Sequence, residues 1–285
     1  MSRSIRAIVW PVCSLFCGSV LVLSAFQSAQ AAPYEFELHL HSEDSDLFDS
    51  AGVATEETEA DGAMLPVVSA AKGTRPVGTQ WDFTGTTSGA DLWVLPKTQD
   101  TNLIFLGFGA EEINPADLAG NITLAFDSLS GPSGASFSVW DVDSGANLVP
   151  LVTSASGFGG VPNQITMVPG SHSHYNVGFT APGLYDVTFT ASGTLAAGLG
   201  GGAVTGTATY SFGVFDTGET YPLTAPTPGP YSFFSQSFDN FMLNGGHVDL
   251  GVGLVVVPEP SSLALAGLGV AALAVVARRR RRAAA

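Results

Sequence analysis

The chain has 285 residues, is rich in glycine (34) and phenylalanine (18), and carries a formal net charge of −15. Both cysteines, Cys13 and Cys17, lie in an apolar N-terminal run, which excludes structural disulfides, thiolate metal sites and a cysteine nucleophile from the rest of the chain. Between residues 32 and 257, 24 acidic residues face three basic ones, Lys72, Arg75 and Lys97, a net of −21; such a surface repels nucleic acid and anionic membrane and attracts cations.

In chain order, Arg3 and Arg6 come first, an apolar run extends from Ile8 to about Phe26, and Ala29-Gln30-Ala31 closes it. Charge held in the cytoplasm, an apolar segment and a small-x-small end are what signal peptidase needs, so residues 1–31 are predicted to be a signal peptide cut after Ala31. Residues 32–257 then form one domain, long enough for a substantial core.

That domain shows little helical periodicity. Short alternating or β-branched runs at 35–40, 92–95, 121–129, 136–142, 164–168, 175–179, 184–192, 205–214 and 248–256 predict strands. In Tyr185-Asp186-Val187-Thr188-Phe189-Thr190-Ala191 polar and apolar residues alternate, as on a strand with one wet face. About nine such strands predict an all-β fold, an immunoglobulin-like antiparallel β-sandwich. One helical turn is expected at 110–118. Residues 42–61 (acidic), 196–202 (glycine-rich) and 217–230 (Pro, Gly and Thr) are expected as loops, and no internal repeat is present.

Five histidines follow the signal segment, four of them in two His-x-His pairs: His39 with His41, and His172 with His174; the fifth is His247. On a strand, residues i and i+2 share a face roughly 6.5–7 Å apart, so two imidazoles can turn onto one metal ion. Two pairs on neighbouring strands, or one pair plus a third ligand, would complete a nitrogen site suited to zinc, with copper and nickel as alternatives, and His247 is a further candidate ligand. Asp249 is a possible oxygen donor. The plainer alternative has His39 and His41 decorating a polar strand face and His172 and His174 capping a turn. Asp141-Val142-Asp143-Ser144-Gly145 has a superficial likeness to a calcium loop, but the twelve-residue pattern and its final Glu are missing, so calcium is the weaker candidate. Trp81, Trp93 and Trp140 are read as core before they are read as a sugar platform. No serine nucleophile elbow, no His-Glu-x-x-His helix and no phosphate-binding glycine loop occurs. The expectation is therefore a binding protein, not an enzyme; a hydrolase with an open position on a histidine zinc site is the minor alternative.

Three segments carry a resemblance: Glu37-Leu38-His39-Leu40-His41, Leu92 to Asp100, and Gly170-Ser171-His172-Ser173-His174-Tyr175-Asn176 continuing to Gly183. Over residues 35–214 the chain resembles the choice-of-anchor M domain of surface proteins, including actinobacterial-type ones. The resemblance implies metal capture or delivery, because relatives occur beside metal-type ABC transporters. In that family a Gly-His-Val-Asp segment precedes the Glu-Leu-His-x-His strand. Here Gly246-His247-Val248-Asp249 comes last, as in a circular permutation, which implies that His247 lies beside His39 and His41.

At the other end, Pro258, Glu259 and Pro260 precede an apolar run from Leu263 to Ala277 and five arginines, Arg278 to Arg282. Counted from Ser261, the 17 residues before the arginines are at the lower limit for a transmembrane helix, and the arginines would stay on the cytoplasmic side. Residues 258–285 resemble the PEP-CTERM sorting signal. That likeness implies recognition by an exosortase in a Gram-negative bacterium, transient anchoring in the inner membrane, and release to the cell surface or extracellular matrix. The leading expectation is a surface-anchored zinc-binding protein linked to metal acquisition. The alternative is an adhesive matrix protein partnered with exopolysaccharide.

Overall fold

A computed structural model describes residues 34–42, 47–48, 54–55, 57–60, 64–218 and 246–257. The expected signal peptide, the motif Pro258, Glu259, Pro260 and the apolar run after it lie outside the described residues. Among the described residues no helix is long and apolar enough to cross a membrane.

The strands are β1 (Tyr34–His41), β2 (Leu47–Phe48), β3 (Ala54–Thr55), β4 (Glu57–Glu59), β5 (Met64–Val67), β6 (Lys72–Thr74), β7 (Asp91–Leu95), β8 (Phe105–Gly109) and β9 (Ile122–Ser130). They continue with β10 (Phe137–Val142), β11 (Leu148–Thr153), β12 (Gln164–Met167), β13 (His172–His174), β14 (Asn176–Phe179), β15 (Gly183–Thr194), β16 (Ala203–Val214) and β17 (His247–Val256). The fold is all-β. Where the sequence predicts one two-sheet sandwich, the described strands form three five-stranded sheets and a two-stranded ribbon. The first sheet has the order β13-β8-β17-β1-β4, the second β11-β10-β14-β7-β6 and the third β12-β9-β15-β16-β5. Pairing is antiparallel except for β17 with β8 and β16 with β5.

The predicted alternation on β15 is real: Tyr185, Val187, Phe189 and Ala191 are fully buried, and Asp186, Thr188 and Thr190 between them are half-buried. The buried rings meet across sheets. Phe137 and Phe179 of the second sheet pack against Phe189 and Phe212 of the third, with ring centroids 5.2–6.3 Å apart. Each such buried ring contributes roughly 1.5–3 kcal/mol relative to exposure. The first sheet joins this core through Phe36 and through Tyr210, whose buried hydroxyl donates to the Gly251 carbonyl at 3.2 Å.

Three local expectations change. Between 110 and 118 only Pro115–Asp117 is helical, as one 3-10 turn. Asn114 caps that turn by accepting from the Ala116 N–H at 3.0 Å, with Pro115 at its first position. The acidic stretch 42–61 is not all loop: it supplies β2, β3 and β4, and β4 hydrogen-bonds to the edge of β1. Strand β8, absent from the expected strands, is the second strand of the first sheet.

Candidate metal centre

Strand alternation separates packing from chemistry on the first sheet. Phe36, Leu38 and Leu40 of β1, Leu106 and Phe108 of β8, and Val248, Leu250 and Val252 of β17 are buried in the core. The opposite face carries His39 and His41, then Phe105, Gly107 and Gly109, then His247, Asp249 and Gly251. Register aligns these residues in rows. His39, Gly251, Gly109 and His172 form one row across β1, β17, β8 and β13. His41, Asp249, Gly107 and His174 form the next. All five histidines therefore belong to one sheet.

They do not form one cluster. Two strands separate β1 from β13, which at about 4.8 Å per strand keeps the two His-x-His pairs apart. Of the arrangements the sequence offers, both pairs together or one pair with a third ligand, the strand order keeps the pairs apart and leaves two groups. His172, His174 and His247 form one, with ring centroids 4.9–5.2 Å apart. One ligand atom from each can be chosen so that all lie within 4.8 Å of one another. His39, His41 and Glu112 satisfy the same condition. His247 sits on the strand next to β1, but its ring packs with His172 and His174 and not with His39 and His41 as expected.

In the first group each ring has one nitrogen engaged by an acceptor. His172 Nδ1 bonds Glu111 Oε1, His174 Nδ1 donates to the Leu106 carbonyl at 3.0 Å, and His247 Nε2 lies 3.1 Å from Asp249 Oδ1. Such partners fix the tautomer and orientation of metal-ligating histidines, and for His172 and His174 the remaining ring nitrogen is Nε2. Phe105 walls the group, stacked on His174 with centroids 3.6 Å apart.

In the second group Glu112 Oε1 lies 3.6 Å from His39 Nε2 and 3.3 Å from His41 Nδ1. The closer approach is too poorly aligned for a hydrogen bond, and the buried His41 Nδ1 has no hydrogen-bond partner. Asp249, 1 % exposed, has an Oδ2 in the same condition. Both residues line a cavity of about 10 Å³, the room of about one water or ion, together with His39, Glu111 and Glu112. Glycines make the floor. A Cβ at Gly251 would lie 2.6 Å from His39 Nε2, and one at Gly109 would lie 3.0 Å from Asp249 Oδ2.

The carboxylates arrive from the turn after β8. Ala110 donates to the Ser171 carbonyl at 2.9 Å and accepts from Gly170 N–H at 2.8 Å, which ties that turn beside β13 and sets Glu111 and Glu112 over the histidine face. Sequence reasoning missed their role; adjacent carboxylates directly after the apolar run 103–110 were the available signal. Burial pushes the Glu112 carboxyl up to about 7, and a hydrogen bond and repulsion from Glu57, then Glu37 and Glu111, push the same way. Burial holds His39 and His174 below the ordinary imidazole value, so both are neutral and able to donate a lone pair near pH 7.

The other candidates resolve locally. Asp143 accepts from Gly145 N–H at 2.8 Å, Asn147 N–H at 2.8 Å and the Asn147 side chain, closing the β10–β11 hairpin, and Lys97 pairs with Asp141. The Asn147 bonds hold the Asp143 carboxyl below its usual range. Trp93 and Trp140 are buried, and half-buried Trp81 stacks on Phe83, so the tryptophans are packing residues.

Residues 256–282 match the PEP-CTERM protein-sorting motif, a stretch that contains Pro258, Glu259, Pro260, the apolar run and the arginines. The chain is thus an exported surface protein with a signal of the kind exosortases recognise, anchored transiently in a membrane. No curated protein and no solved structure matches the chain. The likeness to the choice-of-anchor M domain rests on its three segments alone.

Proposed function

We propose that this exported protein is a non-enzymatic metal-binding protein of the cell surface, taking zinc through His172, His174 and His247. The observation that carries the reading is the convergence of three imidazoles on which Glu111, the Leu106 carbonyl and Asp249 each hold one ring nitrogen. Zinc accepts imidazole nitrogen at about 2.0–2.1 Å in tetrahedral geometry. Ligand atoms already within 4.8 Å of one another need only small ring movements to reach it. The acidic excess of residues 32–257 raises the local concentration of cations around the site. Metal acquisition is the role, a metal ABC transporter the partner class, and the outer surface or matrix of a Gram-negative cell the compartment. Replacing His172 and His174 together by Ala should remove the zinc ion held at this site of the full-length protein. Affinity unchanged in that variant would remove the site.

A second reading, adhesion to exopolysaccharide, is favoured by one observation. An open cleft of about 760 Å³ is lined by Arg75, Asp82, Ser88, Ser136, Ser156 and Phe158, polar donors and acceptors beside one ring. Retention of the protein on matrix polysaccharide, lost on Arg75→Ala, would support it. No retention would leave metal binding as the better account.

A further inference from the structure

We propose that His39, His41 and Glu112 form a second divalent-cation site on the same sheet, in a cavity that Asp249 also lines. The proposal rests on the metal-binding reading above and adds an ion to it.

Donor spacing is the first argument. A tetrahedral ion with nitrogen and oxygen ligands at about 2.0–2.1 Å sets neighbouring donors about 3.3–3.4 Å apart. Glu112 Oε1 stands 3.3 Å from His41 Nδ1 and 3.6 Å from His39 Nε2, close to that edge length.

Unmet polar demand is the second. His41 Nδ1 and Asp249 Oδ2 are buried without a hydrogen bond. Leaving such groups unpaired costs about 1–3 kcal/mol each, more for a charged one. They belong to residues directly opposite each other in the β1–β17 register and line the same 10 Å³ cavity, into which Glu112 also reaches. A cation held by His39, His41 and Glu112 would satisfy His41 Nδ1 and bring positive charge into the cavity that Asp249 lines.

Asp249 joins the two sites. Its Oδ1 faces His247 of the first group, while its Oδ2 is the unpaired atom beside the second. Two imidazoles and a carboxylate make a harder donor set than three imidazoles. It suits zinc and also accepts the more oxygen-seeking divalent ions, manganese among them.

The test is zinc stoichiometry of the full-length protein, stripped with chelator, reloaded with zinc alone, freed of excess and analysed for metal per chain. Wild type should hold two ions. Glu112→Gln with His41→Ala should hold one, His172→Ala with His174→Ala should hold one, and the fourfold variant none. One ion in wild type that survives Glu112→Gln with His41→Ala overturns the second site and leaves the first reading intact. One ion that survives His172→Ala with His174→Ala but is lost with Glu112→Gln and His41→Ala overturns the first reading and keeps this site. If the paired variant does not fold, Glu112→Gln alone gives the same readout, since this side chain lies at the surface of the cluster with about a third of its area exposed. Two ions in Glu112→Gln would then overturn the proposal.

Discussion

Asp249 on β17 lies directly opposite Gly107 on β8, and its carboxylate occupies the space a side chain at position 107 would need. The absence of a side chain on one strand is what lets a carboxylate lie flat on the next, aimed at His247.

Gly107→Ala should therefore displace Asp249. Its Cβ would meet Asp249 Oδ1 at 1.8 Å, and overpacking of this kind costs about 1–3 kcal/mol. Zinc affinity should fall with it, because Asp249 orients His247. Gly120→Ala, whose Cβ would meet nothing within 4 Å, serves as the neutral control. Denaturant unfolding and zinc titration of both variants check the pair of effects; affinity unchanged in Gly107→Ala would remove Asp249 from the site.

How far the sequence revealed this arrangement is clearest on the same two strands. The His-x-His spacing puts each pair on one face once its strand forms, since period-two alternation is local, but residues 172–174 were not among the expected strands. Strand β8 was hidden because its glycines, which exist to accommodate Asp249, look like turn residues when read alone. The company His247 keeps was also hidden: β17 pairs in parallel with β8, so His247 meets Phe105 across 142 positions of chain. Glu111 and Glu112 act on the histidines only through the turn tied to Ser171, and no local pattern encodes that tie.

Glu111→Gln should weaken zinc binding about 10–100-fold without unfolding the protein. The Glu111 carboxylate holds His172 Nδ1 and strengthens the other nitrogen as a donor, and glutamine keeps the shape but not the charge. Calorimetric titration at neutral pH reads the change. An affinity equal to wild type would mean that His172 is not a ligand.

The pH dependence of the metal-free protein has two opposed parts. Glu112 titrates near 7 when folded against 4.5 ordinarily, so the folded chain holds the extra proton between these values. Its stability consequently falls as pH rises through that window, and the penalty is complete above about 7. His39 and His174 are lowered by burial, so there the unfolded chain takes up protons first and stability is lost as pH falls below 6.5. Glu112→Gln should remove the first part, making the metal-free protein more stable than wild type above about pH 7. Thermal unfolding across pH, without metal, measures this; a wild-type slope in the variant would show that Glu112 is not the group responsible.

Away from the metal face, Tyr185 tests the account of the core. Its hydroxyl donates to the Ala181 carbonyl at 2.7 Å and accepts from the Ala181 N–H at 3.1 Å, closing the turn into β15. Burial pushes its phenol up to about 12, so it stays protonated. Tyr185→Phe leaves Ala181 without either bond and should cost about 1–3 kcal/mol in chemical unfolding, with zinc affinity unchanged.

The most direct measurement is the metal content and zinc affinity of the full-length protein near neutral pH, by elemental analysis and calorimetry, where neutral imidazoles are free to ligate. The account predicts zinc bound more tightly than about micromolar, with one ion per chain lost on replacing His172 and His174. A protein that copurifies with no metal, and binds zinc no better than about micromolar, would contradict it.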